Sequence, residues 1–133
     1  MPSTQWLSLS AIHSDQEYLV LLTYLPLKHW SKLPSFLRYV LAIQKQLKTT
    51  KGIIGYSLLA HPFDRNFWTL SAWQDAQTLA EFVRSKPHVQ AMSNLRGHLG
   101  ATKFIKWRAQ GSALPPTWAE AMERIQDDRG NAQ

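Results

Sequence analysis

A strand that runs directly into a helix limits most strongly what this chain can fold into. Residues 67–73 are aromatic-rich with small polar residues between them, which is typical of a β-strand. Asp75 follows at once and is a good N-cap, because its carboxylate can accept hydrogen bonds from the free N–H groups of a first helical turn. Leu79 and Phe82 then come at helical spacing. The pattern predicts a strand that feeds a helix, and the other elements are predicted to face this unit.

Three further apolar stretches predict the rest of a sheet. Residues 18–25 are almost continuously apolar up to Pro26, which predicts a strand covered on both faces. Residues 53–60 are predicted to form an antiparallel hairpin with residues 67–73, and residues 101–109 are predicted to form a fourth strand. Helices are predicted from Pro34 to about Thr49, from Asp75 to about Ser85, and in a second segment that begins near Pro87.

The order strand, helix, two strands, helix, strand predicts an α+β protein with the ferredoxin-like βαββαβ fold. Two helices would lie on one face of a four-stranded antiparallel sheet. Because the strands are apolar on both sides, the other face also needs a cover, and a second copy of the sheet would supply it. We therefore predict a homodimer with a dimeric α+β barrel.

The chain is predicted to have three parts. Residues 1–16 are expected to be an N-terminal arm packed on the surface or on a partner, and residues 17–110 the ferredoxin-like domain. Residues 111–133 are expected to form an extra C-terminal helix and a tail, because Thr117 and Glu120 have capping-box spacing before an apolar stripe. This helix would dock on the domain or cross to the partner.

Composition excludes several classes of function. The 133 residues include no cysteine, which excludes disulfides, thiol catalysis and thiolate metal sites. No window approaches the roughly 20 apolar residues that span a bilayer, so we expect a cytoplasmic protein without a membrane partner. The net charge of +6 comes from dispersed basic residues, which favours a solvated surface over a nucleic-acid site. Six tryptophans line either a core or a pocket for a flat apolar ligand.

A set of residues in and after the third strand resembles a known superfamily. The likeness depends on the order of strands and helices given above together with these residues, which are Trp73-Gln74-Asp75, Phe82, Ser85 and Pro87-His88. Across residues 18–109 the chain resembles the antibiotic-biosynthesis-monooxygenase-like dimeric α+β barrel superfamily. A narrower likeness to an uncharacterised bacterial branch of it covers about residues 52–126 and adds Trp107, Gly111, Pro116-Thr117 and Glu120-Ala121.

The resemblance implies a ligand pocket between sheet and helices in each subunit and dimerisation through the sheets. Members of the superfamily include cofactor-free oxygenases acting on aromatic polyketides, haem-degrading enzymes, decarboxylases and isomerases, so the fold alone does not select a reaction. An alignment with the haem-degrading enzymes on Trp73 tests whether this chain has their haem-binding residues. With Trp73 aligned, the helical Trp of those enzymes falls at Phe82 and their haem-ligating His at Met92, and the first strand lacks their Asn. We therefore predict no haem and no other cofactor.

His88 is the best single candidate for a catalytic residue. A position near a helix N-terminus favours the neutral imidazole, which can act as a general base or bind a ligand. The alternative is that His88 caps backbone groups or bonds a carboxylate. The other histidines, His13, His29, His61 and His98, have no partner at metal-ligand spacing, so no metal site is predicted.

Two tyrosines and five further residues complete the predicted site. Tyr24 and Tyr56 are candidate proton donors, although Tyr24 can equally be a packing residue. The predicted substrate-binding residues are Trp68, Ser71, Trp73, Phe82 and Met92. Trp73 and Phe82 can instead be core residues that join strand to helix. Alternation along the hairpin leaves open which of Tyr56, Trp68 and Ser71 face the helices.

These residues support two hypotheses about function. The first is a monooxygenase-like enzyme that acts on an apolar aromatic or polyene substrate, with His88 as proton acceptor. The second is a non-catalytic protein that binds or senses an apolar or anionic small molecule. An open cavity beside a reachable His88 would favour the enzyme.

Overall fold

A five-stranded antiparallel sheet and four α-helices make up the computed structural model, which describes residues 4–131 and, within the last helix, side chains up to residue 127. Residues 1–3 of the predicted arm and residues 132–133 of the predicted tail lie outside the described residues. The strands are β1 (Leu7–Ser8), β2 (Glu17–Pro26), β3 (Ile53–His61), β4 (Asn66–Trp73) and β5 (Lys103–Gln110). The helices are α1 (Leu33–Lys48), α2 (Ala76–Arg84), α3 (His88–Leu95) and α4 (Trp118–Asn131).

The strand order β1-β3-β4-β2-β5 confirms the α+β class and the ferredoxin-like order of the four long strands. The predicted number of four strands is wrong, because the N-terminal arm adds a fifth, β1, at the edge of the sheet. Leu7 and Ser8 pair with Tyr56 and Gly55 of β3. A side chain at Gly55 would collide with the Leu7 carbonyl and the Trp6 ring, so this glycine allows the arm to come close.

Local signals in the sequence mark the helix boundaries correctly. Asp75 Oδ1 accepts hydrogen bonds from Thr78 N at 2.8 Å and from Thr78 Oγ1 at 2.7 Å, as expected of the N-cap of α2. At the start of α4, Thr117 Oγ1 accepts a hydrogen bond from Glu120 N at 3.1 Å. Gly52 lies in the turn after α1 with φ +89°, a left-handed conformation that favours glycine. The N-cap and the first half of the capping box are therefore confirmed.

Alternation along β2 separates two apolar layers. Leu19 and Leu21 face the layer of helices α1, α2 and α3, whereas Val20 and Leu22 face the opposite side and are fully buried there. Two apolar residues of the helical layer lie near the surface: Val83 is 40% exposed and Val89 is 41% exposed. In α3, His88, Met92 and Leu95 face the sheet.

The second face of the sheet is covered by α4 and the N-terminal arm of the same chain. Ala121 and Ile125 are buried against β2, β4 and β5 together with partly buried residues of the arm. Trp118 Nε1 donates to Ser57 Oγ at 3.1 Å, and Ser57 Oγ donates to the Thr4 carbonyl at 2.7 Å, so β3 joins helix and arm. Of the two positions considered for the C-terminal helix, α4 takes the one on its own domain. The homodimer, which was predicted to cover this face, stays a prediction.

No helix among the described residues combines the length and the hydropathy that crossing a membrane requires.

Replacing Ile125 tests the docking of α4 on its own sheet. Ile125 is 4% exposed, so Ile125→Ala leaves a cavity and should lower the free energy of unfolding by about 2–5 kcal/mol. The matched control is Glu123→Ala on the exposed side of the same helix, which should stay within about 0.5 kcal/mol of the unchanged protein. Urea unfolding followed by circular dichroism measures both, and equal stabilities for the two variants would contradict this packing.

Candidate functional site

A cavity of about 720 Å³ lies between the first face of the sheet and helices α1, α2 and α3. Two transverse rows of side chains form its floor, because residues paired across the four long strands point to the same side. The first row is Tyr56, Ser71, Leu21 and Lys106, and the second is Leu58, Thr69, Thr23 and Phe104. Most of the lining is apolar, and the volume is within the range of sites for drug-sized ligands.

Three ring side chains, those of Trp73, Phe82 and His88, contact one another in succession and connect the sheet to the start of α3. Trp73 is fully buried, and its Nε1 donates to Ser71 Oγ at 2.8 Å. The Trp73 and Phe82 ring centroids are 5.1 Å apart, and the Phe82 and His88 ring centroids are also 5.1 Å apart. These three rings and the Ser71 side chain all line the cavity. Trp73 and Phe82 thus combine both roles considered for them, since they are core residues and also form the cavity wall.

The imidazole of His88 has one nitrogen occupied by the protein. Its Nδ1 lies 3.2 Å from the Val83 carbonyl oxygen. Because a carbonyl can only accept, Nδ1 carries the hydrogen, and in the neutral ring Nε2 has the lone pair. Burial lowers the pKa of His88, against the smaller opposing effect of the hydrogen bond to Val83. A neutral His88 near pH 7 can therefore accept a proton while its ring also bonds to the end of α2.

Gln46 fixes the backbone around His88, and the sequence did not indicate it. Gln46 Nε2 donates to the Phe82 carbonyl at 3.2 Å, and Gln46 Oε1 accepts from the His88 backbone N–H at 3.1 Å. One side chain of α1 thereby ties the end of α2 to the start of α3. Both partners are more than 30 residues away along the chain, so no local pattern could have revealed the contact.

Tyr56 is the predicted tyrosine that lines the cavity. It is 4% exposed, it stands opposite Ser71 in the sheet, and its hydroxyl donates to Gln44 Oε1 at 3.3 Å. Burial raises the pKa of Tyr56, so the phenol stays protonated at neutral pH. It can serve as a hydrogen-bond donor to a ligand oxygen that takes the place of Gln44 Oε1.

Tyr24 and Trp68, also predicted for the site, lie on the opposite face of the sheet. They stack on each other with ring centroids 5.2 Å apart, and Tyr24 Oη donates to Asn66 Oδ1 at 2.9 Å. The reason is strand alternation: their neighbours Thr23 and Thr69 point into the cavity, so Tyr24 and Trp68 point away from it. The remaining predicted residues come together at the cavity, namely His88, Tyr56, Ser71, Trp73, Phe82 and Met92.

Two threonines in the cavity floor were also missed. Thr23 and Thr69 are opposite each other on β2 and β4, and Thr23 is only 8% exposed. Among the side chains described, those of residues 4–127, no group bonds to either hydroxyl, so both are available to a ligand. Threonine is common on strands, and the sequence therefore offered no signal for this role. Within the same range, no three histidine, aspartate or glutamate side chains gather where they could hold a metal ion.

Comparison with known proteins adds a set of similar folds. No protein-family model matches this sequence, and no curated protein sequence matches it either. A solved antibiotic biosynthesis monooxygenase is 12% identical with a TM-score of 0.62, covering 68% of this chain and 97% of that chain. SnoaB, a cofactor-independent oxygenase from Streptomyces nogalater, is 10% identical with a TM-score of 0.57, covering 74% of this chain and 97% of that chain.

A third similar structure is longer than this chain. It is a protein from Fusobacterium nucleatum that is named provisionally as a monooxygenase. It is 10% identical to this chain, with a TM-score of 0.64. The match covers 76% of this chain but 46% of that protein, so this chain spans about half its length. At these identities the likeness concerns the fold.

Replacing Gln46 tests how His88 is positioned. Gln46→Ala leaves the His88 N–H without its partner, whereas the Phe82 carbonyl loses one of its two donors and keeps Ser85 N. The variant should therefore lower the free energy of unfolding by about 1–3 kcal/mol. It should also shift the NMR resonances of the His88 ring. Lys45→Ala, on the exposed side of α1, is the matched control and should change neither. Unchanged His88 resonances in Gln46→Ala would contradict the positioning role.

The lowered pKa of His88 predicts a loss of stability in acid. Protons bind the unfolded state more tightly, because there His88 has its ordinary pKa of about 6.5. The stabilising contribution of neutral His88 is therefore complete above that value and is lost as pH falls through the lower pKa of the folded state.

Urea unfolding at about pH 7.5 and about pH 5 measures this effect. The unchanged protein should lose more stability between the two values than His88→Gln, which cannot take up the proton. An NMR titration of the His88 ring should give a pKa below about 6.5. Equal losses of stability in the two proteins would show that burial does not lower the pKa of His88.

Proposed function

We propose that this chain, whose fold is that of the antibiotic-biosynthesis-monooxygenase-like superfamily, is a monooxygenase-like enzyme that acts on an apolar aromatic or polyene substrate. One observation carries the proposal. His88 lines an apolar cavity of about 720 Å³ with Nδ1 bonded to the protein and with Nε2 as the nitrogen that can accept a proton. The similar fold of a cofactor-independent oxygenase supports the same reaction class.

His88 would start the reaction by removing a proton from the substrate. The substrate carbanion or phenolate then supplies electrons to dioxygen, so the scheme needs no cofactor of the protein's own. For an activated methylene between aromatic rings, the carbon loses two hydrogens and gains one oxygen atom, and the second oxygen atom leaves as water. The apolar walls favour charge transfer inside the cavity by keeping water out, and the wall formed by Trp73 and Phe82 orients a flat substrate.

Tyr56 and Ser71 would stabilise the negative charge that develops. Both hydroxyls line the cavity side by side on neighbouring strands. The raised pKa of Tyr56 keeps its phenol protonated at neutral pH, so its hydrogen can turn from Gln44 Oε1 to a substrate oxygen. A purely binding protein would need no base, and a half-buried His88 beside an open cavity therefore favours the enzyme.

Replacing His88 tests the proposal directly. The probe is anthrone, whose acidic methylene becomes the carbonyl of anthraquinone. We expect the unchanged protein to accelerate anthraquinone formation above the rate in buffer, and His88→Ala to lower this acceleration by about 100-fold or more, as loss of a general base does. Absorbance of the product and uptake of dioxygen measure the rate.

The matched control is His29→Ala, an exposed histidine outside the cavity, which should keep the full rate. Circular dichroism shows that the variants are folded. An undiminished rate in His88→Ala would contradict the catalytic role. Anthrone that binds without any acceleration in the unchanged protein would favour the binding function instead.

A further inference from the structure

The lining of the cavity includes a group of exposed residues on α2 and β5. Val83 and Arg84 lie at the end of α2, and Phe104 and Lys106 lie on β5. Phe104 is 58% exposed although it continues the floor row of Thr69 and Thr23. We define Val83, Arg84, Phe104 and Lys106 as the cavity mouth.

The charges at the cavity mouth are of one sign. Arg84 and Lys106 are basic, and the described lining of the cavity includes no aspartate or glutamate. Among the described side chains, up to residue 127, neither cation forms a salt bridge or a side-chain hydrogen bond. Arg108, on the same side of β5, instead has its own carboxylate, Glu17, at 3.6 Å. The two cations of the mouth therefore keep their full capacity for an anion.

Below the cavity mouth the walls are apolar. Leu21, Val40 and Met92 are typical of the side chains there, and no charged group lies deeper in the described lining, since His88 is neutral near pH 7. Cations beside an apolar wall attract an anion more strongly than they would in open water, because the wall excludes part of the solvent. A ligand with its charge at one end would therefore place that end at the mouth.

We propose that the ligand of this cavity is an apolar aromatic molecule that carries one acidic group, a carboxylate or a sulfonate, held by Arg84 and Lys106 at the cavity mouth. This inference rests on the proposed function, since it concerns the same cavity, and it specifies the class of substrate. The acidic group fixes the orientation of the molecule and leaves its apolar end between Trp73, Phe82 and His88.

Two fluorescent probes with one skeleton test the inference. The first is 8-anilinonaphthalene-1-sulfonate, and the second is N-phenyl-1-naphthylamine, which lacks the sulfonate. In the unchanged protein the sulfonate should bind at least about tenfold more tightly, which is a typical gain for a hydrogen-bonded charged group. In the double variant Arg84→Gln/Lys106→Gln this difference should largely disappear through weaker binding of the sulfonate, with binding of the neutral probe unchanged.

Two controls separate the possible outcomes. Lys45→Gln/Lys48→Gln removes two cations of α1 outside the cavity and should change neither affinity. Ala80→Trp fills the cavity from α2 and should block both probes. Equal affinities for the two probes in the unchanged protein, or a difference that survives in the double variant, would overturn the acidic ligand but leave the cavity as a binding site. Binding of the neutral probe that Ala80→Trp does not reduce would overturn the binding site itself, and with it the proposed function.

Discussion

The pairing of β2 with β4 at the centre of the sheet is the constraint on which the rest of the structure depends. The two strands run antiparallel from Leu19 opposite Trp73 to Pro26 opposite Asn66. Because successive side chains point to opposite faces, this one pair supplies both the floor of the cavity and the surface that α4 covers. A shift of the pairing by one residue would turn one strand over relative to the other, so Thr23 of β2 and Ser71 of β4 would no longer both face the cavity.

The elements of the fold could be predicted because their signals are local. Apolar runs, the N-cap at Asp75 and the glycine at the left-handed turn each act within a few residues. The two-residue strand β1 has no such signal, and its pairing depends on space left by a glycine about fifty positions away. The choice of face could not be predicted either. Alternation separates Tyr24 from Thr23, but it does not tell which of the two sets the helices cover.

The candidate site was predictable in its aromatic and histidine members and less so in its polar ones. His88 could be recognised because it begins a helical segment next to the strand-end Trp73 and the Phe82 that follows. Gln46 could not, since an amphipathic helix has glutamines in many positions and only the packing of three helices gives this one its partners. Local patterns miss a residue such as Gln46 for two reasons. Its type is common on exposed helix surfaces, and its partners are far away along the chain.

The position of α4 has a consequence for how the chain is made. A continuous apolar surface is complete once β4 has been synthesised, and it consists of Val20, Leu22, Leu70 and Ala72. The helix that covers it, α4, begins about 45 residues later in the chain. At roughly 5–20 residues per second, the part of this surface that α4 covers stays open on the nascent chain for a few seconds. During that interval it can pair with other apolar surfaces, and molecular chaperones that bind such surfaces have a defined segment to protect until Trp118 and the residues after it leave the ribosome.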